Sequence, residues 1–189
     1  GETFDQRVAD RIETGQKLVP IHRREILARW RSKGADLPIA SHDDTTPEHV
    51  AEAKADGVTI AEFPTSFEAA AAAKAAGIGT VMGAPNVVRG ESHSGNVSAL
   101  DLAGEGLVDA LSSDYAPFSL LHAAFLLHER SGLSLPDAIA SVTAAPAEMA
   151  RLDDRGRIAE GLRADLVQVR LHEGVPMVRA VWREGRRVA

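Results

Sequence analysis

The chain has 189 residues, 44 % of them hydrophobic and only 4 % aromatic, with a net charge of −6 and no cysteine. The negative balance argues against sequence-independent binding to nucleic acid or to an anionic membrane surface. Without thiols, disulfides and thiolate zinc sites are excluded, so any metal must be held by His, Asp or Glu.

At this length one domain, or one and a small appendage, can bury roughly 70 % of the surface of the unfolded chain. With so few aromatics its core must be aliphatic, built from Ala, Val, Leu and Ile. No apolar run reaches the roughly 18 residues needed to span a bilayer, and Gly1-Glu2-Thr3-Phe4-Asp5 does not read as a secretory signal; a cytoplasmic protein is the expectation. That start lacks a methionine and opens into a charged helical pattern, so these residues are expected to begin inside a longer chain.

Residues 4–33 read as two helices broken near Gly15, with Pro20 at the start of the second. In the second, Ile21, Ile26, Leu27 and Trp30 can share a buried side while Arg23, Arg24, Arg29, Arg31 and Lys33 form a solvated face. A strand–helix rhythm follows. Leu37-Pro38-Ile39-Ala40-Ser41 ends in His42-Asp43-Asp44, and Thr45-Thr46-Pro47-Glu48 is an N-cap with proline in the first turn of a helix stopped by Gly57. Val58-Thr59-Ile60-Ala61 ends in Glu62-Phe63-Pro64, and Thr65-Ser66-Phe67-Glu68 predicts a capping box for an Ala-rich helix up to Gly77.

The third strand, 79–83, leads into a loop over 84–96 that carries Arg89, Ser92, His93, Ser94 and Asn96, with Gly90 and Gly95 freeing the backbone to approach a ligand. A guanidinium fork beside hydroxyls and amides suits phosphate or carboxylate oxygens, and His93 can be donor, base or metal ligand. The same glycines could simply make turns. A helix over 97–104 and a fourth strand, 107–111, ending in Ser112-Ser113-Asp114-Tyr115, complete the series.

Four apolar strands separated by helices imply right-handed crossovers and a parallel sheet. The polar residues gather past each strand's carboxyl end, where α/β barrels and open parallel sheets place their sites. Helices are predicted over 118–130 and 135–144, with a shorter one from Pro146. Residues 156–169 and 178–188 alternate like antiparallel strands. His22, His49, His122, His128 and His172 have no ligand spacing and receive no role.

The segment from Gly156 to Val167 resembles the closing segment of the amidohydrolase superfamily of metal-dependent (β/α)8 barrels. The stretches Ala40-Ser41-His42-Asp43-Asp44-Thr45, Ile60-Ala61-Glu62-Phe63-Pro64-Thr65, Met82-Gly83-Ala84-Pro85-Asn86-Val87-Val88-Arg89-Gly90, Ser92-His93-Ser94-Gly95-Asn96-Val97 and Leu111-Ser112-Ser113-Asp114-Tyr115 resemble, more closely, the phosphonate-metabolism PhnM family within it. The resemblance runs from about residue 37 to the end.

It implies an α/β fold, the C-terminal half of a (β/α)8 TIM-type barrel of about four βα units over 1–152, plus strands of a small β-sandwich over 153–189. It also implies release of pyrophosphate from α-D-ribose 1-methylphosphonate 5-triphosphate. On this mapping His42 and Asp114 bind a divalent metal, with zinc the first candidate, and Asp114 takes the proton of the attacking water. Glu62 stands where a second histidine is usual, which leaves open whether Glu62 or His93 completes the ligand set.

Arg89, Ser92, Ser94 and Asn96 would grip the triphosphate; Asp43 and Asp44 would anchor ribose hydroxyls or a second metal. Each has a plainer alternative: a satisfied structural histidine at 42, a loop cap at 114, a salt bridge at 62, and at 43 and 44 an acidic helix start. The superfamily's first-strand His-x-His pair is absent. These residues alone are therefore expected to be an incomplete, inactive portion that self-associates as a homo-oligomer to cover its open edges. Other amidohydrolase chemistry, deamination or cyclic amide hydrolysis, remains the alternative for the complete site.

Overall fold

The computed structural model describes residues 3–33, 37–92 and 95–189, which form two compact units, 1–37 and 38–189. In the first, Phe4–Ser32 is a single helix, α1, of 29 residues. Thr3 and Gln6 close its start reciprocally, the Thr3 N–H donating to Gln6 Oε1 at 2.8 Å and the Gln6 N–H to the Thr3 hydroxyl at 3.3 Å. The expected break at Gly15 does not occur. An interior glycine costs only about 1 kcal/mol, and Pro20, which lacks an N–H, is carried through by the Lys, Leu, Arg and Glu residues around it. The expected burial of Ile21, Ile26, Leu27 and Trp30 does not occur either: no residue of α1 is buried, since a lone helix has no opposing surface within its own unit.

In the second unit Ala40–His42 (β1), Ile60–Glu62 (β2), Gly79–Gly83 (β3) and Ala110–Ser112 (β4) form one parallel sheet in that order. The intervening helices are Pro47–Asp56 (α2), Phe67–Ala75 (α3), Ala84–Arg89 (α4) and Ala99–Gly104 (α5). Thr46 caps α2, accepting the His49 N–H at 3.4 Å, and Gly57 ends it at φ 87, the left-handed conformation that glycine adopts freely. The cap of α3 is Ser66, which accepts the Ala69 N–H at 3.0 Å, and not Thr65 as expected. Thr65 is engaged elsewhere: its N–H donates to the Asp44 carbonyl at 2.9 Å and its hydroxyl to Thr45 Oγ1 at 3.0 Å, tying the ends of β1 and β2.

Two further departures follow from packing. The stretch after β3, expected to be loop throughout, begins with α4, because Pro85 presets the helical φ and Gly90 stops the turn at φ 83. The helix expected over 135–144 ends early, at Ala140 (Leu135–Ala140, α7), and the shorter one expected from Pro146 starts early, at Ala144 (Ala144–Met149, α8), after Ser119–Ser131 (α6). Ser141 leaves the helix between them; its carbonyl accepts the Leu111 N–H at 2.9 Å, which covers part of the β4 edge.

The core is aliphatic as composition requires. Val87, Leu102 and Leu127 are fully buried with Met82 and Leu111, beside a second cluster of Val50, Val58, Ala61 and Ile78. Ala69, Ala70 and Ala73, all at 0 % exposure, let α3 lie close to the sheet. Buried Thr80 joins the layers: its N–H donates to Asp109 Oδ2 at 2.9 Å and its hydroxyl to the Leu107 carbonyl at 2.5 Å, while Lys74 holds Asp109 Oδ1 at 2.6 Å.

Leu166–His172 (β5), Val175–Arg183 (β6) and Arg186–Arg187 (β7) form a separate antiparallel sheet. Of the alternating pattern expected from 156, only the part from Leu166 is strand. The preceding residues make turns held by charge: Arg163 Nε lies 2.8 Å from Asp165 and Arg163 Nη2 2.9 Å from Glu184, while the Glu184 N–H donates to Asp165 Oδ1 at 2.8 Å. That N–H first, and Arg163 second, hold the Asp165 carboxyl below its usual range; Arg155 does the same for Asp154.

Two outcomes are expected. Gly156 has φ 92, and a Cβ there would meet Ala147 Cβ at 2.8 Å and the Thr143 carbonyl at 3.0 Å, so Gly156→Ala should lower the unfolding free energy by about 2–4 kcal/mol in urea titration. Because the Asp154 and Asp165 pKa values are depressed, their stabilisation is present above the ordinary carboxylate value of about 3.9 and lost as pH falls through the lower folded value. Acid titration of Trp182 fluorescence in a Trp30→Phe background should show that loss, and Asp165→Asn should diminish it; an unchanged titration would mean that the clasp does not hold the sheet.

Candidate functional site

Parallel pairing in register brings the strand ends together. His42 pairs with Glu62 and Glu62 with Val81, and the ladder continues past the strands: the Asp43 N–H donates to the Glu62 carbonyl at 3.0 Å and the Phe63 N–H to the Val81 carbonyl at 2.9 Å. At these tips the backbone turns left-handed at non-glycine residues, Asp43 at φ 59, Phe63 at φ 56 and Asp114 at φ 48. Aspartate tolerates this region; for phenylalanine it is a strained conformation, costing on the order of 1–3 kcal/mol and characteristic of functional sites.

A cleft of about 170 Å3 opens at this rim, lined by Asp43, Phe63, Arg89, Ser92, Asn96, Asp114 and Tyr115 together with Pro64, Met82, Gly83, Pro85, Asn86 and Val97. Asp114 Oδ2 faces Gly83, standing 3.8 Å from where a Cβ would be. Arg89, the last residue of α4, donates from Nη1 to the Tyr115 hydroxyl at 3.1 Å. Two carboxylates therefore share the cleft with one guanidinium fork and the neutral polar groups of Ser92 and Asn96.

The site residues expected from sequence divide between this cleft and its border. Asp43, Arg89, Ser92, Asn96 and Asp114 line it. His42 and Glu62 stand together at the β1–β2 tips, with His42 Nδ1 3.0 Å from Asp43 Oδ2 and His42 Nε2 4.0 Å from Glu62 Oε2. Asp44, expected beside Asp43 as a substrate anchor, is turned inward at 8 % exposure and accepts the Ser41 hydroxyl at 2.5 Å; it orders the β1 tip. His93 and Ser94 lie outside the described residues. Among the described residues no three His, Asp or Glu side chains converge as a metal site; of the expected ligands His42, Glu62, His93 and Asp114, His93 lies outside them.

Three residues without an assigned role prove central. Phe63 sets its ring edge-on to His42, with centroids 5.4 Å apart and planes at 75°. Tyr115, the single tyrosine of the chain, accepts the Arg89 hydrogen bond; its place beside Asp114 was the available signal. Asn86 clips the loop, donating from Nδ2 to the Val97 carbonyl at 3.2 Å and accepting the Ala99 N–H on Oδ1 at 2.9 Å. Nothing local marks it, since its partners lie 11 and 13 residues away. Asn86→Ala should cost about 1–3 kcal/mol by orphaning two part-buried backbone groups, and amide exchange at Val97 and Ala99 should accelerate; unchanged exchange would show the clip to be incidental.

The family profile described as the amidohydrolase family matches residues 6–189. The chain is 50 % identical over 169 residues to the α-D-ribose 1-methylphosphonate 5-triphosphate diphosphatase of Escherichia coli (strain K12), a match covering 88 % of this chain and 44 % of that protein. It is 38 % identical over 105 residues to the dihydroorotase of Methanopyrus kandleri, covering 47 % of this chain and 24 % of that one. The chain thus spans less than half the length of these relatives. Among solved structures, the amidohydrolase from Thermotoga maritima aligns with a TM-score of 0.62 at 22 % identity, over 80 % of this chain and 43 % of that one. The ochratoxinase of A. niger aligns with a TM-score of 0.59 at 20 % identity, over 86 % and 43 %. The parallel four-stranded sheet and the separate antiparallel sheet thus correspond to about half of a (β/α)8 amidohydrolase chain. By sequence along nearly its whole length, and by the fold that carries the cleft, the protein belongs to the amidohydrolase family.

Proposed function

We propose that these residues form one wall of the active site of a hydrolase that releases pyrophosphate from α-D-ribose 1-methylphosphonate 5-triphosphate in phosphonate catabolism. The observation that most supports this reading is the polarity of the cleft, lined by Arg89, Ser92 and Asn96 together with Asp43 and Asp114, in a chain half identical over the matched residues to a diphosphatase of that specificity. Arg89 pairs two phosphoryl oxygens at once. Ser92 and Asn96 add neutral donors, and His93 and Ser94 lie between them in the sequence. Asp43 accepts hydrogen bonds from ribose hydroxyls.

Water attacks the α-phosphorus, its proton passes to the Asp114 carboxylate, and the bond from that phosphorus to the bridging oxygen breaks, so that pyrophosphate leaves and a 5-phosphate remains. Holding reactants in line and supplying a positioned base contribute separately to such a rate. A divalent metal, zinc first, belongs to this reading with His42, Asp114 and one of Glu62 or His93 as candidate ligands. Among these candidates, His42 Nε2 lies 4.0 Å from Glu62 Oε2, and a bound metal would need further donors beside them. The second reading, cyclic amide hydrolysis, has the 38 % identity to a dihydroorotase in its favour.

A chimaera in which this chain replaces the matched portion of the E. coli relative tests the two. Pyrophosphate release from the triphosphate, with dihydroorotate untouched, is expected. Asp114→Asn, which keeps a side chain tolerant of the left-handed backbone, should lower turnover by about 100-fold or more. A folded chimaera that opens dihydroorotate and leaves the triphosphate intact would overturn the proposal.

A further inference from the structure

We infer that Tyr115 is a positioning residue for Arg89, and that this pair selects phosphate-bearing ligands over uncharged ones at the cleft. The inference rests on the phosphate reading above and adds to it the device that makes the fork selective.

Arg89 ends a short helix, and the chain beyond it turns away at Gly90 with φ 83. A guanidinium on a long flexible stem at such a place samples many rotamers, and a ligand must stop that motion to use the fork. The Tyr115 hydroxyl accepts from Nη1 at 3.1 Å, joining two segments 26 residues apart at the ends of β3 and β4. Packing does not explain the position of this tyrosine, which is 66 % exposed; its hydroxyl bond to Arg89 does. The left-handed residue before it, Asp114 at φ 48, turns the chain so that the acid and the tyrosine both border the cleft.

The chemistry of the acceptor matters. Asp43 and Asp114 line the same cleft, and either carboxylate could draw Arg89 onto itself, offsetting the positive charge and occupying the acid. A phenol holds the guanidinium by a hydrogen bond without neutralising it, and takes one of its five donors. The fork therefore stays charged and oriented while the carboxylates stay available. An anion entering a cleft with two carboxylates is favoured only at the Arg89 end, whereas an uncharged cyclic amide gains nothing from that end.

The test is calorimetric titration of the 189-residue chain with inorganic tripolyphosphate, for the wild type, Tyr115→Phe, Arg89→Gln and the double variant. Tyr115→Phe is expected to bind about 3- to 10-fold more weakly, since only the pre-ordering of one side chain is lost, and Arg89→Gln at least about 10-fold more weakly. The double variant should be no weaker than Arg89→Gln alone, because the tyrosine acts through the arginine; two independent contacts would add. Both side chains are exposed, so matching circular dichroism and melting temperatures are expected for all four proteins. Wild-type affinity in Tyr115→Phe, or additive losses, overturns the inference and leaves the phosphate reading standing. No binding by the wild type overturns the inference, and the chimaera then decides the phosphate reading separately.

Discussion

Everything at the cleft depends on the in-register parallel pairing of four short strands. Parallel ladders force all carboxyl ends to one rim, and here the ladder is prolonged beyond the strands by the N–H groups of Asp43 and Phe63. Prolonging it while reversing the chain requires left-handed backbone at both residues. The conformational cost is met by the aliphatic layer beneath, where Ala61 and Met82 are 1 % and 4 % exposed. Site and core are thus coupled: the sheet can hold strained tips because α2, α3 and α6 press short side chains tightly against it.

The arginine-bearing segment is built on a different principle. Burial of Ala84, Pro85 and Val87 anchors α4, and a few long-range polar ties set what lies around and beyond it: Asn86 to Val97 and Ala99, the Val97 N–H to the Thr65 carbonyl at 3.1 Å, and Arg89 to Tyr115. Such ties fix geometry with little hydrophobic contribution, which suits a segment that must both present donors and admit a ligand. The cleft accordingly has one side on the strand tips, with Asp43 and Asp114, and one on α4 and the residues tied to it by side chains. Affinity and geometry can then be tuned separately.

Much of this was legible in the sequence. The alternation of apolar strands and capped helices gave the parallel class and its order, Thr46 with Pro47 and Gly57 bounded α2 as read, and the strand 79–83 was read to the residue. The rim residues Asp43, Arg89, Ser92, Asn96 and Asp114 do line one cleft. These signals are local, resting on backbone preference and on contacts within four residues, and local physics survives folding when packing does not oppose it.

What failed to show in the sequence depends on partners far along the chain. Thr65 gave up its expected cap because Asp44 and Thr45 lie beside it across the β1–β2 tips. Helix α7 ended early where the Ser141 carbonyl meets the Leu111 N–H, and Asp44 turned inward to Ser41. Helix α1 ran unbroken because no packed neighbour in its unit rewarded a break at Gly15. The sequence by itself determined the element types, their order and the side of the sheet on which the chemistry gathers. Only the tertiary structure decided that Asp43 faces the cleft while Asp44 turns inward, and that the one tyrosine meets the arginine, because those choices are set by sheet register between segments tens of residues apart, and no local pattern encodes that register.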